Sequence, residues 1–587
     1  MPRGETRPAA GRRGRGRKAG TGALIAIAIA ISVTAMVGLT ARAVIARASC
    51  SRRPLLVNIA VSYDIAPVIQ SIARTFNSQN QTSGGQCVQV QVTQGESSAV
   101  AAQVDGQTSL QGLAPVDAWI PDSSLWVDVA RRQPVGAQVV QPTGISVAKS
   151  PIMLVTSASV AASTNVFGVP PSWNLLLPST YGGPPATMGI SVDIPDPSNS
   201  AVGLATLIEV NRVLGSTSTG RAGFTRFVFN TESTADFDSV SSLASFVGST
   251  GPFRKAVAEA SEQAVIAYDR TYPGHPLVAR YPASSNAALG TQELDYPYVL
   301  TTSNPSIARA ADVFGHYLQG TYAQSLVRYN GFRSASNVPD AFPAGSGLSS
   351  QPLQIATTPS PVEAAANLAA WQKLGLGSRD LVLIDVSEAM GAPAGLGSLT
   401  LEQELTQTAD KGLALFPDST QMGLWQVPDS NDASKPYLSL VPIGPLPADW
   451  GVITRRDQLQ EVDATLHPDS NPLHLYDAIL AAYQQMTASY APNYSNAVLV
   501  LTAGVDSTKG DMPIGTLVSK LRALTNPAKK VEIVILQFGS QGSTAPLQAI
   551  ANATGGGVYQ ITSPAAVGKV FIEAISQRMC DSGCTIP

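Results

Sequence analysis

The sequence is poor in the residues on which most enzymes depend. Only 13% of its 587 residues are charged, and it has four histidines and four cysteines. A hydrolase triad would have to be assembled from distant residues, and no G-x-S-x-G, H-E-x-x-H or P-loop motif is present. Glycine-rich stretches at 391–398 and 553–558 lack the lysine or following acid of a phosphate-binding loop and predict turns. The sequence therefore predicts a protein with no catalytic residue, no enzymatic activity and no cofactor.

Basic charge is scarce outside the N-terminal end. Residues 1–53 contain 11 Lys and Arg against one acid, whereas the remainder has 27 basic and 40 acidic side chains. Nucleic-acid binding requires a basic face that neutralises phosphates, so nucleic acid is excluded as a partner. The 44% hydrophobic content indicates a folded chain. At roughly 100 to 200 residues per domain, about three or four units are expected.

The N-terminal end predicts export from the cytoplasm. A basic tail, 1–18, precedes 22 uncharged residues, 19–40, which is long enough to span a bilayer at the α-helical rise. Because the positive flank stays cytoplasmic, the body is predicted to be extracytoplasmic, held at the cell membrane by a single span. The alternative is a signal peptide cleaved after Ala46 to Ala48. A lipoprotein ending at Cys50 is disfavoured, since Arg47 stands where an aliphatic residue is needed.

An oxidising exterior favours disulfides over free thiols. Four cysteines allow three pairings, and the short C-terminal spacing favours one of them. We predict Cys50 paired with Cys87 and Cys580 paired with Cys584. Zinc is disfavoured because His275, His316, His467 and His474 fall at no ligand spacing relative to these cysteines.

Apolar strands alternate with amphipathic helices along most of the chain. Residues 55–62 predict a strand, and Ile65 to Phe76 places its apolar residues at helical spacing. Such alternation predicts an α/β fold with mainly parallel sheets covered on both faces. We predict a first domain at 54–343, a Gly-, Ser- and Pro-rich linker at 344–378, a doubly wound domain at 379–576 and a C-terminal tail at 577–587. Ligands of doubly wound sheets bind at the carboxyl ends of the strands, here the loops after Ile384 and Leu501.

The first half resembles an extracytoplasmic solute-binding protein of the periplasmic-binding type II class. The segments that carry this resemblance are VSYDIAP, VDAWIPDSSLW, DPSNSAVGLATL and LDYPYVL, followed by a closing helix and GFR at 331–333. The resemblance implies two lobes that close on a ligand held by hydroxyls and N–H groups at helix N-termini. The candidate ligand-binding residues are Ser62, Tyr63, Ser97, Ser98, Asp122, Ser123, Asn199, Ser200 and Tyr268.

Helix capping is the alternative interpretation of these candidates, because Ser, Asp and Asn are preferred at N-caps with or without a ligand. Asp122 bears on the type of solute. A buried carboxylate repels an oxyanion, which favours a neutral or cationic solute, or no solute at all.

The second half resembles a von Willebrand factor A domain. The segments DLVLIDVSEAM, LYDAILAAYQQM and NAVLVLTAG carry this resemblance, which implies a metal-ion-dependent adhesion site for magnesium. Asp385 and Ser387 match its first two ligands, but Ala389, Leu473 and Ala503 replace the other three. Apolar groups do not coordinate a hard cation, so we expect no metal, with Asp385 and Ser387 as remnants of a degenerate site.

Together these features predict a membrane-anchored, extracytoplasmic, non-enzymatic binding protein. A bilobed domain would recognise a small solute, and the C-terminal domain would bind a protein partner. The alternative is the substrate-binding component of a transport system that carries an accessory von Willebrand A domain.

Overall fold

A computed structural model describes residues 53–106, 115–168, 171–234, 239–342, 347–394, 399–504, 510–539 and 542–579. Within these ranges no helix has the length and apolar content needed to cross a bilayer. The predicted tail at 1–18 and span at 19–40 lie outside the described residues, as do Cys50, Cys580 and Cys584. Cys87 is buried and disulfide-bonded, and its predicted pairing with Cys50 stays a prediction.

Strands and helices alternate along the first domain, as the sequence predicts. Its strands are β1 (Leu55–Val61), β2 (Thr82–Ser83), β3 (Gln86–Gln94), β4 (Ala118–Ile120), β5 (Gln141–Ser146), β6 (Ala148–Thr156), β7 (Ile190–Pro195), β8 (Thr231–Thr234), β9 (Lys255–Ser261), β10 (Val278–Arg280), β11 (Glu293–Leu294), β12 (Pro297–Leu300) and β13 (Arg333–Ser334). Its helices are α1 (Ala66–Ser78), α2 (Ser97–Val104), α3 (Ser124–Arg131), α4 (Pro134–Val139), α5 (Ala158–Thr164), α6 (Ala201–Leu214), α7 (Ser218–Asn230), α8 (Val240–Ser249), α9 (Glu262–Thr271), α10 (Pro305–Leu318) and α11 (Thr321–Tyr329).

The remainder of the chain shows the same alternation. After α12 (Pro361–Gly375) come the strands β14 (Gly377–Asp385), β15 (Gln421–Val427), β16 (Leu438–Pro445), β17 (Asp449–Trp450), β18 (Ile453–Thr454), β19 (Tyr494–Thr502), β20 (Val531–Phe538) and β21 (Val558–Ile561). The helices between and after them are α13 (Leu401–Leu413), α14 (Arg455–Asp463), α15 (Leu475–Ala488), α16 (Ile514–Leu524), α17 (Thr544–Thr554) and α18 (Val567–Ser576).

The first domain has two lobes, each built on its own sheet. The first sheet has the order β2-β3-β1-β4-β12-β5, and the second has the order β10-β6-β9-β7-β8, with β11 and β13 also paired to β6. Parallel pairs such as β1 with β3 and β7 with β9 lie beside antiparallel ones such as β12 with β4 and β6 with β9. The prediction of mainly parallel sheets is therefore wrong for this domain, because the chain returns between lobes and adds strands in the opposite direction.

Two of the segments that carry the chain between the lobes are hydrogen-bonded to each other. Val147 separates β5 of the first lobe from β6 of the second, and its N–H donates to the carbonyl of Tyr296 (2.9 Å). Asp295 and Tyr296 separate β11 from β12 in the return direction. Tyr296 is fully buried and has a φ of +40°, which a residue with a Cβ rarely adopts. We call Val147 and Tyr296, where the chain crosses between the lobes, the hinge. The packing around the hinge therefore stabilises the conformation of Tyr296.

The C-terminal domain is a doubly wound sheet, as predicted. The strand order is β16-β15-β14-β19-β20-β21, and all neighbouring pairs are parallel except β15 with the edge strand β16. In chain order this is the 3-2-1-4-5-6 arrangement typical of doubly wound sheets. Separate hydrophobic clusters cover its two faces. The carboxyl ends of β14 and β19 therefore lie side by side at one edge.

The segment predicted as a linker is helical over much of its length. Ser360 and Glu363 form a reciprocal capping box that starts α12, and Ala364, Ala370 and Leu374 belong to the hydrophobic core of the first domain. Residues 344–362 have the composition of a loop. The residues that follow them include apolar positions that pack in the core. The prediction of a linker through 378 is therefore wrong in this part.

Arg333, in the GFR segment, is almost fully buried and forms an ion pair with Glu262 at the start of α9 (2.7 Å). The guanidinium also donates to the carbonyl of Ser349 (2.8 Å). Both ionised side chains are removed from water, so each compensates the burial of the other.

We expect Arg333→Met to lower the free energy of unfolding by about 3–5 kcal/mol, because it leaves the buried carboxylate of Glu262 without its partner. Chemical denaturation of the full-length protein measures this. The matched control is Lys569→Met, which removes an exposed pair with Glu573 and should cost less than about 0.5 kcal/mol. If the two substitutions lowered the free energy of unfolding equally, the stabilising role of the Arg333–Glu262 ion pair would be contradicted.

Candidate functional site

Four of the predicted cleft residues lie together at the ends of β1 and β4. The backbone N–H of Ser62 donates to the carbonyl of Ile120 (3.0 Å), and the hydroxyl of Ser97 accepts from the N–H of Asp122 (3.2 Å). Ser123 is the N-cap of α3, and its hydroxyl accepts an N–H of the first turn (3.2 Å). These four residues are buried. They form the first-lobe side of the candidate cleft.

The remaining first-lobe candidates are positioned differently. Tyr63 is 58% exposed, and the hydroxyl of Ser98 donates to the carboxylate of Glu96 (3.0 Å). Ser62 does not cap a helix, since α1 begins after Ile65 without a side-chain capping bond. The capping interpretation is therefore correct for Ser123 and does not account for Ser62.

Asp64 belongs to this group of residues and was not singled out by the sequence. It accepts hydrogen bonds from the hydroxyl of Ser62 (2.7 Å), from the N–H of Ile65 (2.8 Å) and from the hydroxyl of Tyr296. Burial raises the pKa of Asp64, while these hydrogen bonds oppose the increase. Because Tyr296 is a hinge residue, Asp64 connects the cleft loop to the hinge. That role depends on a contact across 232 positions, which no local pattern reveals.

The second lobe contributes the loop that follows β7. The N–H of Asn199 donates to the carbonyl of Asp196 (3.0 Å), and Ser200 is the N-cap of α6, with its hydroxyl accepting from the N–H of Gly203 (3.4 Å). The carboxylate of Asp196 accepts from the indole N–H of Trp371 (3.0 Å). Helix α12 thus reaches the loop that carries the second-lobe candidates.

Tyr268 is not at the end of a strand with the other candidates. Helix α9 begins after the cap residue Ser261, and Tyr268 lies about two turns further on. It is buried in the hydrophobic cluster of the second lobe with Met153 and Leu243, and its ring is 5.0 Å from that of Tyr272. The position of this tyrosine fits a core residue.

In the C-terminal domain, both carboxylate oxygens of Asp385 accept hydrogen bonds from neighbouring protein groups. One oxygen accepts from the N–H of Ser387 (2.9 Å) and the other from the hydroxyl of Thr502 (2.6 Å). Burial raises the pKa of Asp385, and the hydrogen bonds from Thr502 and Ser387 oppose this increase. Thr502 precedes Ala503 and was not identified from the sequence.

Apolar residues replace the missing ligands. Leu473 and Ala503 are buried and belong to the hydrophobic clusters on opposite faces of the sheet. The hydroxyl of Ser387 is buried without a hydrogen-bond partner among the described residues. The sequence resemblance to von Willebrand A domains predicts oxygen ligands at the positions of Leu473 and Ala503. Asp385 and Ser387 therefore have apolar side chains at these positions instead.

A second group of possible ligands lies at the start of α15. His474, Asp477 and Asp511 each place one ligand atom within 4.8 Å of the others. The carboxylate of Asp511 already accepts from the N–H groups of Tyr476 (2.9 Å), Asp477 (3.1 Å) and Met512 (2.8 Å). This carboxylate therefore caps α15, a role that accounts for its position without a metal.

Residues 57–333 match the model of the bacterial extracellular solute-binding protein family. The match covers most of the first domain, and it is to the family type that the sequence resemblance predicts. Two curated relatives, both uncharacterised proteins of Mycobacterium tuberculosis from strains CDC 1551 and H37Rv, are 23% identical over 568 residues. The alignment covers 90% of this chain and 77% of each relative.

Solved structures similar to each half share low sequence identity with it. The sulfate-binding protein SubI of Mycobacterium tuberculosis is 20% identical, with a TM-score of 0.33, over 50% of this chain and 92% of its own. Iron-bound HitA of Pseudomonas aeruginosa is 14% identical, with a TM-score of 0.39, over 55% and 100%. A von Willebrand factor type A protein from Catenulispora acidiphila is 18% identical, with a TM-score of 0.28, over 35% and 43%. The resemblance of the C-terminal half to a von Willebrand A domain stays a prediction from its sequence, and the doubly wound strand order of that half agrees with it.

We expect millimolar Mg²⁺ or Mn²⁺ to leave the Tm of the full-length protein unchanged, because three of five ligand positions are apolar and Asp385 is already hydrogen-bonded. Differential scanning fluorimetry with and without EDTA measures this. A metal-dependent rise in Tm would contradict the prediction. Loss of that rise in Asp385→Ala would place the ion at the degenerate site, and loss in His474→Ala would place it at the start of α15.

Proposed function

We propose that this chain is an extracytoplasmic solute-binding protein, anchored in the membrane by residues 19–40, whose C-terminal domain binds a protein partner. Binding and conformational change are its whole activity, with no covalent chemistry. The cleft between the two lobes is the solute site, and the loops at the carboxyl ends of β14, β15 and β19 form the partner site.

The observation that carries this proposal is the two-lobed fold within the range matched by the family model. Each lobe contributes a serine-capped helix start to the loops that follow its strands, Ser123 on α3 and Ser200 on α6. Helix N-termini present unpaired N–H groups to a ligand. The hinge at Val147 and Tyr296 provides the segments about which the lobes rotate.

The solute is neutral or cationic. Asp122 is buried and Asp64 is partly buried in the first-lobe loops of the cleft, and an ionised carboxylate at either position repels an anion. Tyr63 presents an exposed aromatic ring beside them, a surface that suits stacking against a sugar ring or an organic cation.

Helix α12 supports a coupling between the cleft and the C-terminal domain. It packs on α3 of the first lobe and on α6 of the second, and Trp371 binds the loop that contains Ser200. One residue after α12 the chain enters β14. A change in lobe angle therefore displaces the start of the C-terminal sheet. This coupling favours a receptor over the alternative, a transporter subunit with an accessory domain, because an accessory domain needs no contact with the cleft.

The partner site is acidic. Glu388 follows β14, Asp469 pairs with Ser387 in a short bridge, and Asp477 lies in the first turn of α15. Electrostatic complementarity favours a partner with a basic surface.

A panel of sugars, amino acids and organic cations should contain a solute that raises the Tm of the full-length protein. A ligand present at 100 times its Kd stabilises the folded protein by about 2.7 kcal/mol. We expect Ser200→Ala to lower the Tm of the protein without solute, because the loss of a helix N-cap destabilises the fold by about 1 kcal/mol. We also expect it to reduce the increase in Tm that the solute produces. Differential scanning fluorimetry followed by calorimetry measures both effects.

The matched control is Ser239→Ala, which removes an equivalent but exposed cap on α8, where Ser239 accepts from Ser242 (3.1 Å). It should lower the Tm to a similar extent and leave the solute shift intact. A panel without any stabilising compound, or an equal loss of shift in both variants, would contradict the proposal.

A further inference from the structure

A cavity of about 650 Å³ lies between the first domain and the C-terminal domain. Its walls come from the end of α7, the end of α12, the loop between α13 and β15, and helix α18. This volume is within the range of small-molecule sites, which occur preferentially at domain interfaces. Among the described residues, none of the candidate ligand-binding residues of the solute cleft lines this seam cavity.

The walls of the seam cavity are mostly apolar and partly open to water. Phe229, Leu376 and Leu415 are 40%, 38% and 42% exposed, although they come from three separate segments. The ring of Phe571 lies 6.4 Å from that of Phe229 and 5.0 Å from that of Phe416. Apolar surface exposed in one concave place marks a binding site more often than scattered exposed residues do.

One charge faces this apolar surface. Arg226 lines the seam cavity, is partly buried and makes no hydrogen bond or ion pair with any described residue. Among the lining residues that the structure describes there is no Asp or Glu. The other polar side chains on the wall, including Asn230, Thr231 and Ser419, are neutral. Among its described residues, the cavity therefore combines a long apolar wall with one cation, Arg226, that has no described partner.

We propose that the seam cavity binds a fatty acid, with its acyl chain along the Phe229, Phe416 and Phe571 wall and its carboxylate on Arg226. An apolar chain removes the exposed aromatic and aliphatic surface from water. A carboxylate supplies the charge-assisted partner that the guanidinium lacks. A sugar would leave the apolar wall unmatched, and a neutral lipid would leave Arg226 unpaired. This site is separate from the solute cleft and does not depend on the function proposed for it.

The test uses the full-length protein and a dansyl-labelled undecanoic acid as the fluorescent probe. We expect saturable binding that palmitate displaces and that hexadecanol, which has the chain without the charge, displaces about tenfold less well. Arg226→Gln should weaken palmitate binding about tenfold. The matched control, Arg309→Gln on the exposed surface of α10, should leave it unchanged.

A second variant blocks the seam cavity without removing any interaction. Gly568 lines the cavity, and a Cβ at this position would meet no atom within 4 Å. We expect Gly568→Leu to fold, because leucine is the better helix former, and to abolish probe binding. Gly515 is likewise the second residue of its helix with open space around it, so Gly515→Leu should retain binding.

Absence of saturable probe binding overturns the proposal. So does an Arg226→Gln or a folded Gly568→Leu protein that binds palmitate as tightly as the unmodified chain. Displacement by hexadecanol as effective as displacement by palmitate overturns the role of the carboxylate. Failure of the solute panel leaves these measurements unaffected, because they report on a different site.

Discussion

The position of α12, which leads into the C-terminal domain, depends on a partly buried ion-pair network. Glu209 on α6 is fully buried, and its carboxylate accepts from Arg212 (2.7 Å) and from Gln292 (2.6 Å). Burial raises the pKa of Glu209. Arg212 also donates twice to Glu363 in the first turn of α12 (2.6 and 2.8 Å). The same guanidinium therefore stabilises a buried acid and fixes the helix that leads to the C-terminal domain.

Once α12 is fixed, several other features follow. It runs beside α6, and its side chains join the core of the first domain at Ala364, Ala370 and Leu374. Its far end places Trp371 against the cleft loop and leaves space for the seam cavity between the domains. The receptor proposal and the fatty-acid proposal thus share a structural cause, although they concern different sites.

The loop edge of the C-terminal domain illustrates how a degenerate site is accommodated in a fold. If the predicted resemblance to an adhesion-type domain holds, apolar residues stand at three ligand positions, and the buried carboxyl group of Asp385 still needs hydrogen bonds. Thr502 and the backbone of Ser387 supply them. Conversely, the acidic group around Asp511 acts in helix capping, so a cluster of possible ligands can be explained by local backbone structure.

Local sequence patterns were sufficient to predict the helices and strands whose apolar residues recur with strong periodicity. The helix starting near Ile65, the strand at 55–61 and the strands β14, β19 and β20 follow from apolar spacing, because period and chain direction are properties of neighbouring residues. The serine caps at Ser123 and Ser200 follow for the same reason. The mixed direction of the first-domain sheets and the docking of α12 do not, since they arise from pairings far apart along the chain.

The sequence by itself determined that the chain forms two α/β units and that serines begin helices beside the candidate cleft, and it predicted apolar residues at three ligand positions of an adhesion-type site. Only the tertiary structure decided that Asp64 binds the hinge, that Tyr268 lies in the core and that a polar segment continues into a helix contacting both lobes. The reason is physical. Periodicity and capping depend on residues a few positions apart, whereas burial, ion pairing and cavities depend on which distant surfaces pack together.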